Sequence, residues 1–354
     1  MFPYYLLISL PVFFTFIRIK FKSKRVFDRF PLLVFFVLFL ILLSLRGISC
    51  GIDLLNYQSR FESVSLSSFT ESIASSSFEY GYNIFVLVCK WFVNDFRFFL
   101  IICSLISVVP IMLLYFYGTE HNLLTISLFV AVAPFTMFFS GLRQAIAIGI
   151  GAICYHFSKK NKIIPFLIFA ALAVSFHQSA VVLLLIYPLT HAKITKKWII
   201  PISVLYIVIM VFNKSIFGLF LGLSEKYESR YIISDTGAYT YLIMLILFVI
   251  YSFIIPNEED KELLGLRNLL VVALFIQCFA PINTVAMRLN YYFLIFIPIL
   301  IPKIIDNAKP QFRKLANISS VVFICFFIFW FFKEAYTGSN ILHVFPYIPF
   351  WEEI

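Results

Sequence analysis

Residues 97–116 read RFFLIICSLISVVPIMLLYF, and after the opening arginine no charged residue interrupts them. The hydrocarbon core of a bilayer takes about 20 apolar residues of helix to cross, so this stretch predicts a membrane-spanning helix. Similar runs recur on both sides of it, near 2–19, 30–45, 122–140, 142–157, 163–176, 178–190, 198–212, 239–255, 268–286, 289–302 and 317–332. A spanning segment must satisfy its own backbone hydrogen bonds, and for apolar runs of this length the helix does so. The expectation is an all-α, polytopic transmembrane bundle of about 12 helices, with residues 1–354 forming one integral membrane domain.

Composition agrees. Of 354 residues, 62% are hydrophobic and 13% charged, against about half and about a quarter in soluble domains. An ordinary globular enzyme is excluded. The 45 Phe and 19 Tyr are expected to face lipid and to anchor at the headgroups. Cys89, Cys103, Cys154, Cys278 and Cys325 fall inside apolar runs and only Cys50 lies in a polar loop, so neither a disulfide framework nor a metal site is expected. The run 2–19 has no basic residue before it and no small-residue cleavage site after it, and is expected to stay as the first helix. The stretch 82–93 is apolar but short and carries Lys90, which reads as an interfacial or re-entrant helix; a crossing there would invert every later orientation.

The formal charge of +10 does not form a stripe, because the basic residues sit in the gaps between apolar runs. Topology explains them better than a nucleic-acid partner does. With the N-terminus outside, most Lys and Arg fall in the cytoplasm, as the positive-inside rule requires. The outer set is Arg46, Arg60, Lys90, Arg97, Arg143, Lys214, Lys226, Arg230, Arg288 and Lys333. It is rich in arginine, whose planar fork suits phosphate and carboxylate. Two outer loops, about 46–80 and 213–238, are long enough to carry function, so function is expected to face outward.

Polar residues collect at a turn leaving the second helix and at three outer junctions. Leaving the second helix, Arg46, Gly47, Gly51, Asp53 and Tyr57 can fold a polar turn at the membrane surface; snorkelling of Arg46 and helix termination by the glycines would explain the same residues. Glu79 opens the short apolar stretch, where a carboxylate also complements the helix dipole. Arg143 and Gln144 open a helix whose Ala145, Ala147, Gly149 and Gly151 permit close helix contact. His177 lies at the next outer junction, and Arg288, Asn290, Tyr291 and Tyr292 at a third, where the tyrosines also fit an aromatic belt. Guanidinium groups gathered in one outward pocket would suit a pyrophosphate. The chain has no nucleotide loop, metal-ligand spacing, nucleophile elbow or Cys pair, so the donor is expected to arrive activated and no cofactor is expected.

In order and spacing these stretches resemble the EpsG/Wzy family of bacterial polysaccharide polymerases. The resemblance is carried by Arg46-Gly47 with Gly51, Asp53, Asn56 and Tyr57; by Glu79 with Gly81; by Ser140-Gly-Leu-Arg143-Gln144 and the basic turn 158–162; by Phe176-His177-Gln-Ser179; and by Arg288 with Tyr291-Tyr292. Tyr80 stands where the family often has proline. The resemblance implies a GT-C-like glycosyltransferase of the bacterial inner membrane, serving O-antigen or exopolysaccharide synthesis. Such an enzyme joins oligosaccharide repeat units carried on undecaprenyl pyrophosphate at the outer face. With the outward polar residues, the expectation is pyrophosphate binding by Arg143 and Arg288, and substrate contacts from Arg46, Tyr57, Arg60, Gln144, Arg230 and Tyr291. Asp53, Glu79 and His177 remain alternative general bases. The implied partners are the lipid-linked donor and acceptor, the bilayer, a chain-length regulator and a repeat-unit flippase. A flippase or other transporter is the rival from another class, but it would carry ionisable residues along a path through the helix centres, which are nearly free of charge. A polysaccharide ligase would need the same outward arginines.

Overall fold

The 97–116 run folds as one helix, Phe96–Gly118, opened by Asp95, whose carboxylate accepts the Phe98 N–H at 2.8 Å. A capping acid satisfies a free amide and sits at the positive end of the helix dipole. The computed structural model describes residues 2–21, 29–64, 78–132, 134–222, 238–257, 260–337 and 342–352. Among these described residues the elements are helical, and β pairing is confined to the isolated bridges Arg46↔Pro349 and Pro256↔Ala308. The chain divides into two compact units, Met1–Leu184 with Ser320–Ile354, and Leu185–Ser319.

In chain order the helices are α1 (Phe2–Phe21), α2 (Phe30–Leu45), α3 (Leu54–Ser63), α4 (Tyr80–Phe92), α5 (Phe96–Gly118), α6 (Asn122–Ala131), the single turn α7 (Met137–Ser140), α8 (Leu142–Lys159) and α9 (Ile163–Phe176). A 3-10 segment, Gln178–Leu185, leads into α10 (Ile186–His191), and then come α11 (Ile199–Gly222), α12 (Tyr239–Ile254), α13 (Lys261–Gln277), α14 (Thr284–Leu294), α15 (Ile297–Asp306) and α16 (Arg313–Thr337). Among the described residues, Phe96–Gly118, Lys196–Leu219 and Pro310–Thr337 are long and apolar enough to cross a membrane. Val285–Leu294 and Ile297–Asp306, bent by 45°, make a fourth if they form one broken span. Among the described residues, further apolar helical stretches of 10–17 residues include Phe2–Ile17, Phe30–Leu45, Ile163–Phe176 and Tyr239–Ile254.

Several sequence-based boundaries move, each for a local reason. The run 122–140 breaks after Ala131, where Pro134 has no N–H to continue the ladder. The run 268–286 instead begins at Lys261, capped by Asp260, and ends at Gln277; Pro281 and the cap Asn283 restart the chain as α14. The run 178–190 opens as a 3-10 segment. The run 289–302 bends where Pro298 opens α15. The first part of the expected outer loop 213–238 is helical, because α11 continues to Gly222, and 223–237 lie outside the described residues. The other outer loop contains α3, an amphipathic helix burying Leu54, Tyr57 and Phe61.

In the first unit, α1, α2, α5, α8 and α9 pack in succession, and α4 touches α3, α5 and α9. Small residues allow the close contacts: a Cβ on Gly149 would fall 2.6 Å from the Ser107 carbonyl oxygen of α5, and one on Gly151 would fall 2.8 Å from Leu183 Cδ2. The core is aromatic. Tyr4, Phe35, Phe36, Phe39, Phe129 and Phe135 are fully buried and meet largely edge to face, so the phenylalanines expected to face lipid also form the interior. Residues 342–352 return to the end of α2, where Gly47 N–H donates to Ile348 O at 2.8 Å and Ile52 N–H to Leu342 O at 3.0 Å. Between α8 and α9, Asn161 takes a left-handed φ of 56° and Lys162 N–H reaches back to Phe157 O at 3.0 Å, a Schellman-type stop.

In the second unit, α13 packs against α10, α12, α14 and α15. Asn268 Nδ2 donates to Leu189 O and Ala192 O, each at 2.8 Å, and so closes the end of α10. Lys303 Nζ lies 2.9 Å from carboxylate oxygens of both Asp260 and Glu262. Asn290 is buried and donates to Gln277 Oε1 at 2.8 Å.

Candidate functional site

At one end of the first unit, several helix starts meet. Asp53 precedes α3, Glu79 precedes α4, Gly141 precedes α8, and Gln178 opens the 3-10 segment. Ser140 joins the first and third, donating to Asp53 Oδ2 at 3.2 Å and accepting the Asp53 N–H at 3.3 Å. Gly51 makes this approach possible: its φ of +134° is open to glycine, and a Cβ there would fall 2.4 Å from Phe139 O. Glu79 joins the rest. Its backbone is extended and its side chain caps nothing on α4, which frees the carboxylate for neighbours far along the chain.

One carboxylate oxygen of Glu79, Oε2, pairs with Arg143 Nη1. The other, Oε1, accepts the Gln178 N–H at 3.1 Å and lies 3.3 Å from His177 Nδ1, close enough for an ion pair but off-line for a hydrogen bond. The three side chains keep 13% (Glu79), 19% (Arg143) and 23% (His177) of their surface, so each is mostly but not fully buried. The Arg143 guanidinium lies over Phe78 at 4.3 Å, with Tyr57 and Tyr82 at 5.9 and 6.0 Å. Aromatic faces favour a cation, more so where water is thinned. Arg143 Nε is buried and has no hydrogen-bond partner.

Burial on its own would raise the Glu79 carboxyl, but His177, the Arg143 charge and the Gln178 N–H outweigh it and hold the group at about 2. Glu79 is therefore an anion throughout the physiological range. Helix starts and a guanidinium add positive potential at the same place. The cluster thus holds a cation able to meet an anionic leaving group, a fixed carboxylate and an imidazole. The basic turn 158–162 is at the far end of α8, roughly 25 Å from Arg143 at the usual helical rise.

The sequence-predicted residues distribute as follows. Arg143, Glu79 and His177 share contacts, with Tyr57 beside them; Asp53 is tied in through Ser140. Arg60 Nε donates to Asn83 Oδ1 at 2.9 Å on α4, and Gln144 is buried. Arg46 is fully buried at the end of α2, where Nη1 donates to Leu43 O while Nε and Nη2 have no partner. Arg288 and Tyr291 belong to the second unit, on α14. Arg230 lies outside the described residues. Sequence reasoning missed Phe78 and Tyr82, and it quoted Ser140 and Gln178 within motifs without giving them a role. Phe78 and Tyr82 flank Glu79 in sequence and offered a signal; the backbone donor offered none.

The short stretch 82–93 resolves as α4, and residues beyond both its ends make contacts far along the chain. Glu79 meets Arg143, and beyond the other end Arg97 Nη1 donates to Arg46 O at 2.5 Å, on the outgoing end of α2. No curated protein and no solved structure matches the chain. The model of the EpsG family matches residues 29–348, from the start of α2 to the returning tail that covers Arg46. Spanning nearly the whole chain and every junction described above, that match makes the protein a member of the EpsG family, and membership points to a membrane polysaccharide polymerase.

Proposed function

We propose that the protein joins oligosaccharide repeat units carried on undecaprenyl pyrophosphate at the outer face of the bacterial cytoplasmic membrane, in O-antigen or exopolysaccharide synthesis. The growing glycan leaves its lipid diphosphate and passes to a hydroxyl of the next lipid-linked unit. On this reading the apolar helices complete a GT-C-like bundle of about 12 crossings. A repeat-unit flippase supplies substrate and a chain-length regulator acts on the product. Arg143 receives the diphosphate, with Arg288 as its partner in that task, while Arg46, Arg60, Gln144, Arg230 and Tyr291 serve the rest of the substrate. The reading is carried by one observation: Arg143, paired with Glu79 beside His177, opens α8 at the end remote from the basic turn. A guanidinium fixed where charge develops is the main electrostatic need of a reaction whose leaving group is a diphosphate.

Arg143→Ala is expected to abolish polymer while a single-repeat-unit product and the protein level persist; Arg143→Lys, which keeps charge without the fork, should recover only part. Normal-length polymer from Arg143→Ala would overturn the assignment. A deletion that leaves polymer stranded on the carrier lipid would indicate a ligase instead.

A further inference from the structure

Three side chains at the junction could take a proton from an attacking sugar hydroxyl, and their surroundings differ. Asp53 already accepts from Ser140 Oγ at 3.2 Å. Glu79 has both carboxylate oxygens engaged, one by Arg143 and the other by the Gln178 N–H at 3.1 Å. A carboxylate so paired is a weak base. His177 differs from both: Nδ1 is buried against Glu79, yet the side chain keeps 23% of its surface, which falls on the rest of the ring with Nε2. The ionisable groups around it are Glu79 from α4, Arg143 from α8 behind that carboxylate, and Tyr57 and Tyr82 beside the guanidinium.

We propose that Glu79 is a shared carboxylate that couples anion binding at Arg143 to proton acceptance by His177. The proposal rests on the polymerase reading above. Without substrate, the negative charge of Glu79 is divided between the guanidinium and the imidazole. A diphosphate arriving at Arg143 competes for the guanidinium donors and leaves more of that charge facing His177. With Nδ1–H drawn towards that carboxylate, Nε2 is left as the proton acceptor of the ring, the arrangement of a carboxylate beside a catalytic imidazole. In the transfer step the acceptor hydroxyl gives its proton to His177 Nε2 and its oxygen bonds to the anomeric carbon of the donor. The bond from that carbon to the diphosphate breaks, and its electron pair leaves on the diphosphate, where Arg143 meets the charge. The imidazolium then returns its proton to solvent. His177 and Arg143 touch the reacting groups; Glu79 is a positioning residue.

The test uses the full-length protein in lipid nanodiscs with 15N-labelled histidine, the His177 signal being assigned by its loss in His177→Gln. Titrated with and without inorganic pyrophosphate, the wild type should show a His177 proton affinity raised about tenfold by the ligand. In Glu79→Gln that rise should fall by more than half, since only the direct field of the ligand remains, and Glu79→Asp should recover part of it. Unchanged signals from the other four of the five histidines report that the variants fold. In polymerisation assays Glu79→Gln should lower kcat and move the acid limb of the pH–rate profile to lower pH, because removing a negative neighbour makes the imidazole less basic. His177→Gln should lose polymer. An undiminished rise in Glu79→Gln, or normal polymer from His177→Gln, overturns the proposal. If Arg143→Ala binds pyrophosphate as tightly as the wild type, the anion site of the polymerase reading fails as well; Arg143-dependent binding with an unresponsive His177 refutes the coupling alone.

Discussion

Gly81 of α4 rests directly on Ser175 of α9: a Cβ at Gly81 would fall 2.2 Å from Ser175 Oγ and 2.7 Å from its carbonyl oxygen. Rotating the serine relieves the first contact but not the second, which is backbone. The touching pair lies two residues after Glu79 and two before His177, so it sets how closely these two approach.

Gly81→Ala should therefore wedge α4 from α9 and lengthen the 3.3 Å approach of His177 Nδ1 to Glu79. Overpacking of this kind costs about 1–3 kcal/mol. A displacement of about 1 Å in a catalytic group can cost on the order of a hundredfold in rate. The expected outcome is protein at near-normal level that makes little polymer, read by comparing a glycan ladder with an immunoblot. A full ladder from Gly81→Ala would show that the helix contact does not govern the site.

The Glu79 carboxyl, ordinarily near 4.5, is held at about 2 in the fold, so its charged form is the one the structure stabilises. A group with a depressed folded value contributes stability in full above its unfolded value and loses it as pH falls through the folded one. On this account melting temperature is level from neutrality down to about pH 5 and declines from there towards pH 2. Glu79→Gln should be less stable at neutral pH and decline less steeply across the acid window. Parallel melting curves for the two proteins would mean that the Arg143–Glu79 pair adds nothing to stability.

These groups show how much the sequence could tell. Apolar runs announced the helices because about 20 uncharged residues have few other uses, and Arg143 stood out as a charge at the mouth of a small-residue helix. The partnership did not. Glu79 and Arg143 are 64 residues apart, and Glu79 and Gln178 are 99 apart, so Glu79 read equally well as a dipole partner. Arg46 is a second case. Its cover, a tail whose Pro349 bridges to it from the far end of the sequence, left no mark on the residues around it. Local patterns specify helices and their stops; which stops meet is decided by packing between distant segments.

Lys90 argues that α3 and α4 move as one piece. Its Nζ lies 2.9, 3.0 and 2.7 Å from the carbonyl oxygens of Phe61, Glu62 and Val64, using all three donors to close the end of α3. Tyr57 and Tyr82 meet near the other end, so the two helices run side by side in the same direction. Lys90→Met keeps the stem over Phe61 and removes the donors, a loss of about 1–3 kcal/mol for a charged hydrogen-bonding group. A lower melting temperature and a weaker polymer ladder are expected, because Tyr57 and Arg60 ride on α3. Wild-type stability in Lys90→Met would show that water replaces the ammonium at no cost.

The returning tail can be tested through Cys50, which is only 1% exposed and whose Sγ lies 3.6 Å from Val344 O. The cover is stitched on both sides of it: Tyr4 Oη donates to Val344 O at 2.8 Å, Tyr347 Oη to Leu42 O at 2.9 Å, and Arg97 stacks on Phe350 at 4.1 Å. In a Cys325→Ser background, which removes the exposed cysteine on α16, a membrane-impermeant maleimide should leave the full-length protein in nanodiscs nearly unlabelled. Truncation after Thr337 should open Cys50 to the reagent and let water reach the Arg46 guanidinium, two of whose nitrogens have no partner under the tail. Hydrating a buried, unpaired charge returns several kcal/mol of desolvation cost, so the truncated protein should lose less stability than its severed contacts imply, while the turn leading to Asp53 loosens and polymer yield falls. Equal labelling of Cys50 with and without the tail would show that the cover does not form.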